Sequence, residues 1–342
     1  MKVVHWNTSK KGQQMSGVKN YEDNLFENLK NIDGNLEIER IQRSESAIFG
    51  SMPLSWLFRY KCKDADIVHA TFHMVAPAKL FRKTNTFLVT VHDIAPFLYP
   101  SVLDDISLKL QWKLTPYSLK KADKIIAISN FTKNELIRLL KIREEKIDVV
   151  HYGINHEIFK PLDKYENRKK LGLDEDGYYI LTTVTEHKRK RVDLVKKLAR
   201  RLHEKNSDIR IIKTGEGYGK EYDNILGLGY IENNQMPILY NAADIYYHPA
   251  EYEGFGLPVL EAMACGTPVI ANDVASIPEI VKEKRYLINL EEEDYFDILE
   301  DKIEKFLDIK RDETLINISK KFTWEKTAEE TFKVYDTLMV DR

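Results

Sequence analysis

The sequence predicts an α/β protein of two Rossmann-like parallel-sheet domains facing across a cleft, and three observations predict it. At 342 residues with 43% hydrophobic content, the chain is long for one core and apolar enough to fill two. Its short apolar runs, among them 66–70, 86–91, 178–183 and 269–271, are near-continuous rather than alternating, as strands buried on both faces of a parallel sheet must be. Helical patterns separate these runs, and such alternation specifies parallel α/β layers. Phe159-Lys160-Pro161 breaks the pattern, and a polar stretch without core periodicity follows. The expected divisions are a first domain over 1–160, a linker over 161–177, a second domain over 178–322 and a terminal helix over 323–342.

In the first domain, Val3-Val4-His5-Trp6 reads as the opening strand. The loop through Gly12 and Ser16-Gly17-Val18 leads into an amphipathic helix over 21–30 with Leu25, Phe26 and Leu29 inward. Gly17 is a site candidate at this strand-to-helix loop, and a simple turn into the helix is the other reading. Residues 51–61, SMPLSWLFRYK, place Trp56, Leu57, Phe58 and Tyr60 beside basic residues; a helix packed on the sheet and an interfacial membrane segment both fit. The strand over 86–91 ends at His92-Asp93-Ile94-Ala95-Pro96. Positions just beyond the carboxyl ends of parallel strands line the ligand crevice, so His92 is placed for chemistry, with Asp93 as an orienting or capping partner. His69 and His73 sit beyond the preceding strand, where they could line the acceptor side. A strand over 122–129 precedes a helix through Leu140 that Ser129 or Asn130 can cap, and 146–150 adds another strand.

The second domain opens with the strand over 178–183, after which Lys188, Arg189, Lys190 and Arg191 stand in succession before a helix to Leu202. Cations at a strand-to-helix turn suit a diphosphate, although such a run is also a common solvated face. A strand over 209–213 precedes Gly215, Gly217 and Gly219, whose spacing does not match the dinucleotide fingerprint. Leu228-Gly229-Tyr230-Ile231 reads as a short strand, 236–241 as a helix and 244–247 as a further strand. The densest chemistry follows in 248–282, with Glu253 and Glu261 eight positions apart and Gly254 and Gly256 after the first. The composition turns helical at Leu257, so the glycine loop runs into a helix N-terminus, whose N–H groups and partial positive charge suit phosphate oxygens. The two glycines would let a phosphate approach the backbone, and plain packing is the alternative. Cys265-Gly266-Thr267-Pro268 ends this helix. Near the end, Thr323 is the expected cap of a helix with Ala328, Phe332 and Tyr335 on one face.

Charge and composition exclude several classes. With 52 basic and 54 acidic residues the net charge is −2, and nothing points to nucleic acid. Residues 1–160 carry 24 Lys/Arg against 18 Asp/Glu, an excess that favours an anionic acceptor or membrane surface. Cys62 and Cys265 lack metal-ligand or disulfide spacing, as in a reducing cytosol, and no metal or cofactor is expected. No apolar stretch reaches the roughly 18 residues of a membrane span, so any membrane contact is expected to be peripheral.

The string E-G-F-G-L-P-V-L-E-A-M-A-C-G-T-P-V-I closely resembles the nucleotide-sugar signature of family 4 retaining glycosyltransferases, whose fold is GT-B, and the resemblance runs more weakly from about Gly17 to Tyr335. It implies that Glu253 and Glu261 are the family's paired glutamates, on the donor sugar and the ribose hydroxyls respectively. Main-chain N–H groups of Gly254, Phe255, Gly256 and Leu257 would meet the diphosphate with Lys190. Main chain at Tyr230 and Ile231 would contact the base. V-T-V-H-D-I-A-P also resembles the family and implies that His92 faces the donor sugar; the family's glycine loop implies that Gly17 lies near diphosphate and acceptor, and the resemblance implies that the helix over 323–342 packs back on the first domain. Two departures stand out: Ser16-Gly17 replaces a Gly-Gly pair, and Thr183-Val184 replaces a Gly-Arg pair whose arginine holds diphosphate, a loss that Arg189 or Lys188 would have to cover. The implied activity is retaining transfer of a mannose- or glucose-type hexose from GDP-mannose or a UDP-sugar to a glycan or lipid-linked acceptor. The expected location is cytoplasmic, at the inner face of the plasma membrane. The motif style is nearest to mannosyltransferases of surface-polysaccharide pathways. A non-catalytic nucleotide-sugar binder of the same fold is the alternative, since Gly-Arg is missing; a nucleotide-sugar epimerase shares the architecture but lacks the E-G-F-G-L-P string.

Overall fold

The alternation of strand and helix resolves into two sheets. The computed structural model describes residues 1–10, 16–32, 34–43, 59–62, 64–99, 106–205, 207–214, 224–232 and 234–340. Gly12, residues 51–58 and the glycines at 215, 217 and 219 lie outside them. The chain divides into one unit of residues 1–153 with 322–342 and another of 154–321.

The first unit contains β1 (Lys2–Lys10), α1 (Gly17–Leu29), β2 (Glu37–Arg43), β3 (Ile67–Ala70), β4 (Thr86–Val91), α2 (Ile106–Lys120), β5 (Lys124–Ala127), α3 (Asn130–Leu140) and β6 (Ile147–Val149). Its sheet runs β2-β1-β3-β4-β5-β6, parallel throughout. Every residue of β3 and β4 is buried, which is why these strands read as unbroken apolar runs. The edge strand β2, EIERIQR, has no fully buried residue and so left no apolar signal. Ser16 caps α1 by accepting from the Lys19 N–H at 3.2 Å, and Ser129 caps α3 through the Thr132 N–H at 3.0 Å.

The C-terminal helix, Trp324–Val340, belongs to this unit, and Thr323 caps it. The Tyr335 hydroxyl is buried between His5 Nε2 at 2.9 Å and His69 Nδ1 at 2.7 Å. Gly153 lies against the start of this helix so closely that an added Cβ would sit 2.2 Å from the Trp324 nitrogen.

The second unit contains α4 (Lys164–Lys170), β7 (Tyr178–Thr182), α5 (Val192–Glu204), β8 (Ile209–Lys213), β9 (Ile225–Gly227), α6 (Met236–Ala242), β10 (Ile245–His248), α7 (Leu257–Cys265), β11 (Val269–Asn272), α8 (Ile277–Val281) and β12 (Leu287–Ile288). The sheet order is β12-β11-β10-β7-β8-β9, again all parallel. Successive strands go one way from β7 to β9 and the other way from β10 to β12. The reversal falls between β7 and β10, and the carboxyl ends of two such strands leave a crevice between their diverging loops.

Two sequence expectations change here. Residues 161–177 are folded into the second unit rather than left as a linker: Asp163 caps α4, and Arg168, 3% exposed, donates to Asp244 Oδ2 at 2.7 Å and to the Ala242 carbonyl at 3.0 Å. Ion pairs from Lys164 and Arg168 to the buried Asp244 anchor a polar helix and leave no apolar periodicity to read. The short strand is 225–227, not 228–231, and Tyr230 is 61% exposed. Replacing Gly153 with alanine should destabilise the protein by about 3 kcal/mol in denaturant unfolding, because the new methyl meets backbone that cannot rotate away.

Candidate active site

The carboxyl end of β10 delivers His248, and the loop 249–256 carries Glu253 back beside it. That loop is held at each turn. Its Glu251 N–H donates to the Arg189 carbonyl at 2.9 Å, and Arg189 Nη1 returns a bond to the Tyr252 carbonyl at 3.1 Å. Asn272 donates to the Pro249 carbonyl, and the Ser276 hydroxyl lies 2.9 and 2.8 Å from the carbonyls of Glu253 and Phe255.

Glu253 is the electrostatic centre, 9% exposed. Its Oε1 pairs with Lys190 Nζ, Arg189 Nη1 is 3.9 Å from Oε2, and His248 Nε2 is 3.1 Å from Oε1. Burial alone would raise its pKa, but Lys190, His248 and Arg189 together prevail and hold the carboxyl well below the usual range. Burial lowers the His248 pKa, keeping that imidazole neutral. The cationic turn is therefore more than a solvated face: Arg189 and Lys190 are turned inward, Arg191 pairs with Asp193, and Lys188 is exposed. Of the two positions lacking Gly-Arg, Val184 is buried and Thr183 Oγ1 lies 2.7 Å from the Tyr246 hydroxyl.

The glycine loop behaves differently from its expected phosphate logic at one point. Gly256 has φ +101°, and a Cβ there would meet Ile277 Cδ1 at 2.7 Å. The space left by its missing side chain is filled by Ile277, so glycine is required at 256 by the turn and by packing. It is the N-cap of α7, and its carbonyl takes the N–H groups of Val259 and Leu260 at 3.0 and 3.2 Å. Pro258 has no N–H, which leaves Leu257 as the first-turn donor without an acceptor inside the helix.

Glu261 sits one turn into α7. It accepts from the Tyr240 hydroxyl at 2.8 Å, and burial pushes its pKa up to about 7. Tyr230 and Ile231 follow β9, and Tyr230 is exposed.

In the first unit, His92 lies just beyond β4 and is 5% exposed. Its Nε2–H donates to the Thr71 carbonyl at 2.8 Å, which fixes the tautomer, and Nδ1 accepts from the Tyr152 hydroxyl. Burial holds its pKa down to about 3, so the ring is neutral with both nitrogens engaged. Asp93 Oδ1 accepts from the Ala95 N–H at 3.1 Å, a capping contact. His69, expected to line a binding surface, is instead structural: it is fully buried between Tyr335 and Thr90 Oγ1, the latter 2.8 Å from its Nε2. His73 is buried with Nδ1 3.4 Å from the His92 nitrogen. Gly17 is exposed at the first turn of α1, and a Cβ there would meet open space, so packing does not demand glycine at this position.

Sequence reasoning missed Glu22. Fully buried on α1, it accepts from the Thr8 and Ser9 N–H groups at 2.6 and 3.1 Å, from the Ser9 hydroxyl and from Thr71 Oγ1 at 3.1 Å. It holds the end of β1 against Thr71. A glutamate on an amphipathic helix reads as surface, and no local signal marks it otherwise.

Residues 38–158 match the family model described as Glycosyltransferase Family 4, and residues 163–322 match Glycosyl transferases group 1. O-antigen chain mannosyltransferase B of Escherichia coli is 27% identical over 83% of this chain and 77% of its own length. D-inositol 3-phosphate glycosyltransferase of Mycobacteroides abscessus is 29% identical over 48% of this chain and 40% of its own length. Among solved structures, sucrose-phosphate synthase from Thermosynechococcus elongatus superposes over the whole of both chains with TM-score 0.76 at 18% identity. Anabaena HepE in complex with UDP-glucose does so over 98% of this chain and 100% of that one, with TM-score 0.72 at 16% identity.

The raised pKa of Glu261 fixes the sign of a pH effect. Its folded value, about 7, lies above the ordinary 4.5, so the native state favours the protonated form. That contribution to stability is complete below about pH 4.5 and lost as pH rises through about 7. Glu261→Gln should abolish it: between pH 5 and 8 the wild-type unfolding midpoint should fall relative to that of the variant.

Proposed function

We propose that this chain, which belongs to the family 4 glycosyltransferases, transfers a hexose with retention from a nucleoside-diphosphate sugar to a glycan or lipid-linked acceptor. The observation that carries the reading is the buried, ionised Glu253 with Lys190 and Arg189 gathered on it at the β7/β10 reversal. An enzyme that separates a glycosyl cation from a diphosphate needs negative charge at the sugar and positive charge at the leaving group, fixed in advance. Here both signs stand within one ion pair, ready to be divided between the two halves of a donor.

In this reaction the bond from the anomeric carbon to the diphosphate oxygen breaks, and its electron pair stays on that oxygen. The acceptor oxygen bonds to the anomeric carbon on the same face, and the acceptor proton passes to the departing diphosphate. Glu253 bonds donor-sugar hydroxyls and opposes the charge growing at the anomeric carbon. Lys190, Arg189 and the N–H groups from Gly254 to Leu257 stabilise the diphosphate. Glu261 accepts from the ribose hydroxyls, which draws it to its ionised form, and main chain at Tyr230 and Ile231 borders the base. Gly17 and His92 serve from the first unit, Gly17 by leaving room at the start of α1 and His92 as a fixed neutral imidazole at the end of β4.

GDP-mannose is favoured by the likeness to mannosyltransferases of O-antigen chains, and a UDP-sugar by the likeness to HepE. An acceptor presented at the cytoplasmic membrane face suits the basic first 160 residues. The absent Gly-Arg pair favours one second reading, a protein that binds nucleotide sugar without turning it over.

Calorimetry with UDP, GDP and ADP, followed by hydrolysis and transfer assays with the matching sugars, separates the two. The expected result is slow donor hydrolysis, with Glu253→Gln lowering kcat by about 100-fold or more and leaving nucleoside-diphosphate affinity within a few-fold of wild type. Binding without turnover of any sugar in the panel, with any acceptor extract, would rule out the transferase reading.

A further inference from the structure

A row of polar side chains that the reaction as written does not use leads to Glu253. His248 is the last residue of β10 and 1% exposed. Its Nδ1 lies 3.2 Å from the Tyr246 hydroxyl, and that hydroxyl lies 2.7 Å from Thr183 Oγ1. Tyr246 and His248 are two positions apart and share one face of β10. Thr183 directly follows β7, which pairs with β10 through Ile180 and Leu181, so the row crosses the strand reversal. On the far side of the imidazole, Nε2 is 3.1 Å from Glu253 Oε1 but has no aligned hydrogen bond, and the same oxygen is held by Lys190.

The protons can run through this row in only one favourable direction. A neutral imidazole has one N–H. If it were on Nδ1, the bare lone pair of Nε2 would face a carboxylate oxygen at 3.1 Å. With it on Nε2, the Thr183 hydroxyl donates to Tyr246, the Tyr246 hydroxyl donates to Nδ1, and Nε2–H lies on the Glu253 side of the ring, close to Oε1 but not aligned with it while Lys190 holds that oxygen.

We propose that His248 is a positioning residue, set from behind by Thr183 and Tyr246, whose Nε2–H takes over the Glu253 carboxylate when a donor diphosphate draws Lys190 away. The inference rests on the reading that Glu253 faces a donor sugar. Departure of Lys190 would leave a buried carboxylate whose ion pair to Arg189 Nη1 spans 3.9 Å, and His248 Nε2 at 3.1 Å is the closer group. Thr183 matters here because it occupies one of the two positions at which the sequence departs from Gly-Arg: a glycine there would offer Tyr246 no hydroxyl.

The test uses the full chain and the nucleotide sugar that the wild type turns over. Asparagine places its amide near the position of Nδ1 and glutamine near that of Nε2, so the two discriminate between the ring nitrogens. His248→Phe and His248→Asn should each lower kcat about 30-fold, the range expected for losing a hydrogen bond to a charged group, with donor KM and nucleoside-diphosphate affinity within about 3-fold of wild type. His248→Gln should return kcat to within about 5-fold of wild type. A glutamine variant as impaired as the phenylalanine one, or a phenylalanine variant with unchanged kcat, overturns the proposal. Imidazole NMR on the wild type adds a readout that needs no turnover. Adding the nucleoside diphosphate that binds should move the His248 Nε2–H resonance downfield as it engages Glu253. An unmoved resonance overturns the positioning role even if sugar is transferred, and a moved resonance in a protein that never turns over a donor supports it while removing the transferase reading.

Discussion

A carboxylate taken out of water must be met by positive charge and hydrogen-bond donors close at hand, and that requirement organises the second unit. Glu253 lies where β10 has ended and its sheet has reversed direction, so the loops after β7 and β10 supply its surroundings. Lys190 and Arg189 come from the loop after β7, His248 from the end of β10 itself. The Glu251 N–H on the Arg189 carbonyl and the Arg189 guanidinium on the Tyr252 carbonyl stitch the two loops together, so neither can shift without disturbing the ion pair. Local burial makes these attractions stronger than a surface pair of the same geometry would show.

The first unit handles its polar groups differently. At the carboxyl ends of β1, β3 and β4 it places Glu22, Thr71, His69 and His92, and hydrogen bonds within the unit engage each of them. Such a network specifies one arrangement of its strand ends, because any half-made version would leave buried charge or N–H groups unsatisfied. Gly17 contrasts with this, exposed and with room where a side chain would be.

The legible parts of the sequence were those where one physical demand acted alone. Strands buried on both faces read directly because nothing but burial selected β3, β4 and β10. Motif and placement both singled out Glu253 and Lys190, and the structure pairs them. What escaped was set by contacts distant in sequence. α4 is polar and is anchored by Arg168 to Asp244, β2 is a charged edge, and Glu22 looks like a surface residue until Thr8, Ser9 and Thr71 close over it. Gly256 shows the converse: the expected loop is there, but Ile277 supplies the reason for its second glycine. No alternation or cap announces a residue sixty positions away.

The hydroxyl of Tyr335 between His5 and His69 gives the chain an order of assembly. The first strand's imidazole obtains this partner from a residue 330 positions later, and everything from 154 to 321 must be synthesised in between. The second unit is contiguous and can complete its core as soon as its own residues are made. The first must hold its sheet together with one wall missing, exposing β1 and α1 surfaces that the final helix covers, until that helix arrives. During synthesis the unit whose strands come first in this sequence thus cannot complete its packing until the whole of the second has been made.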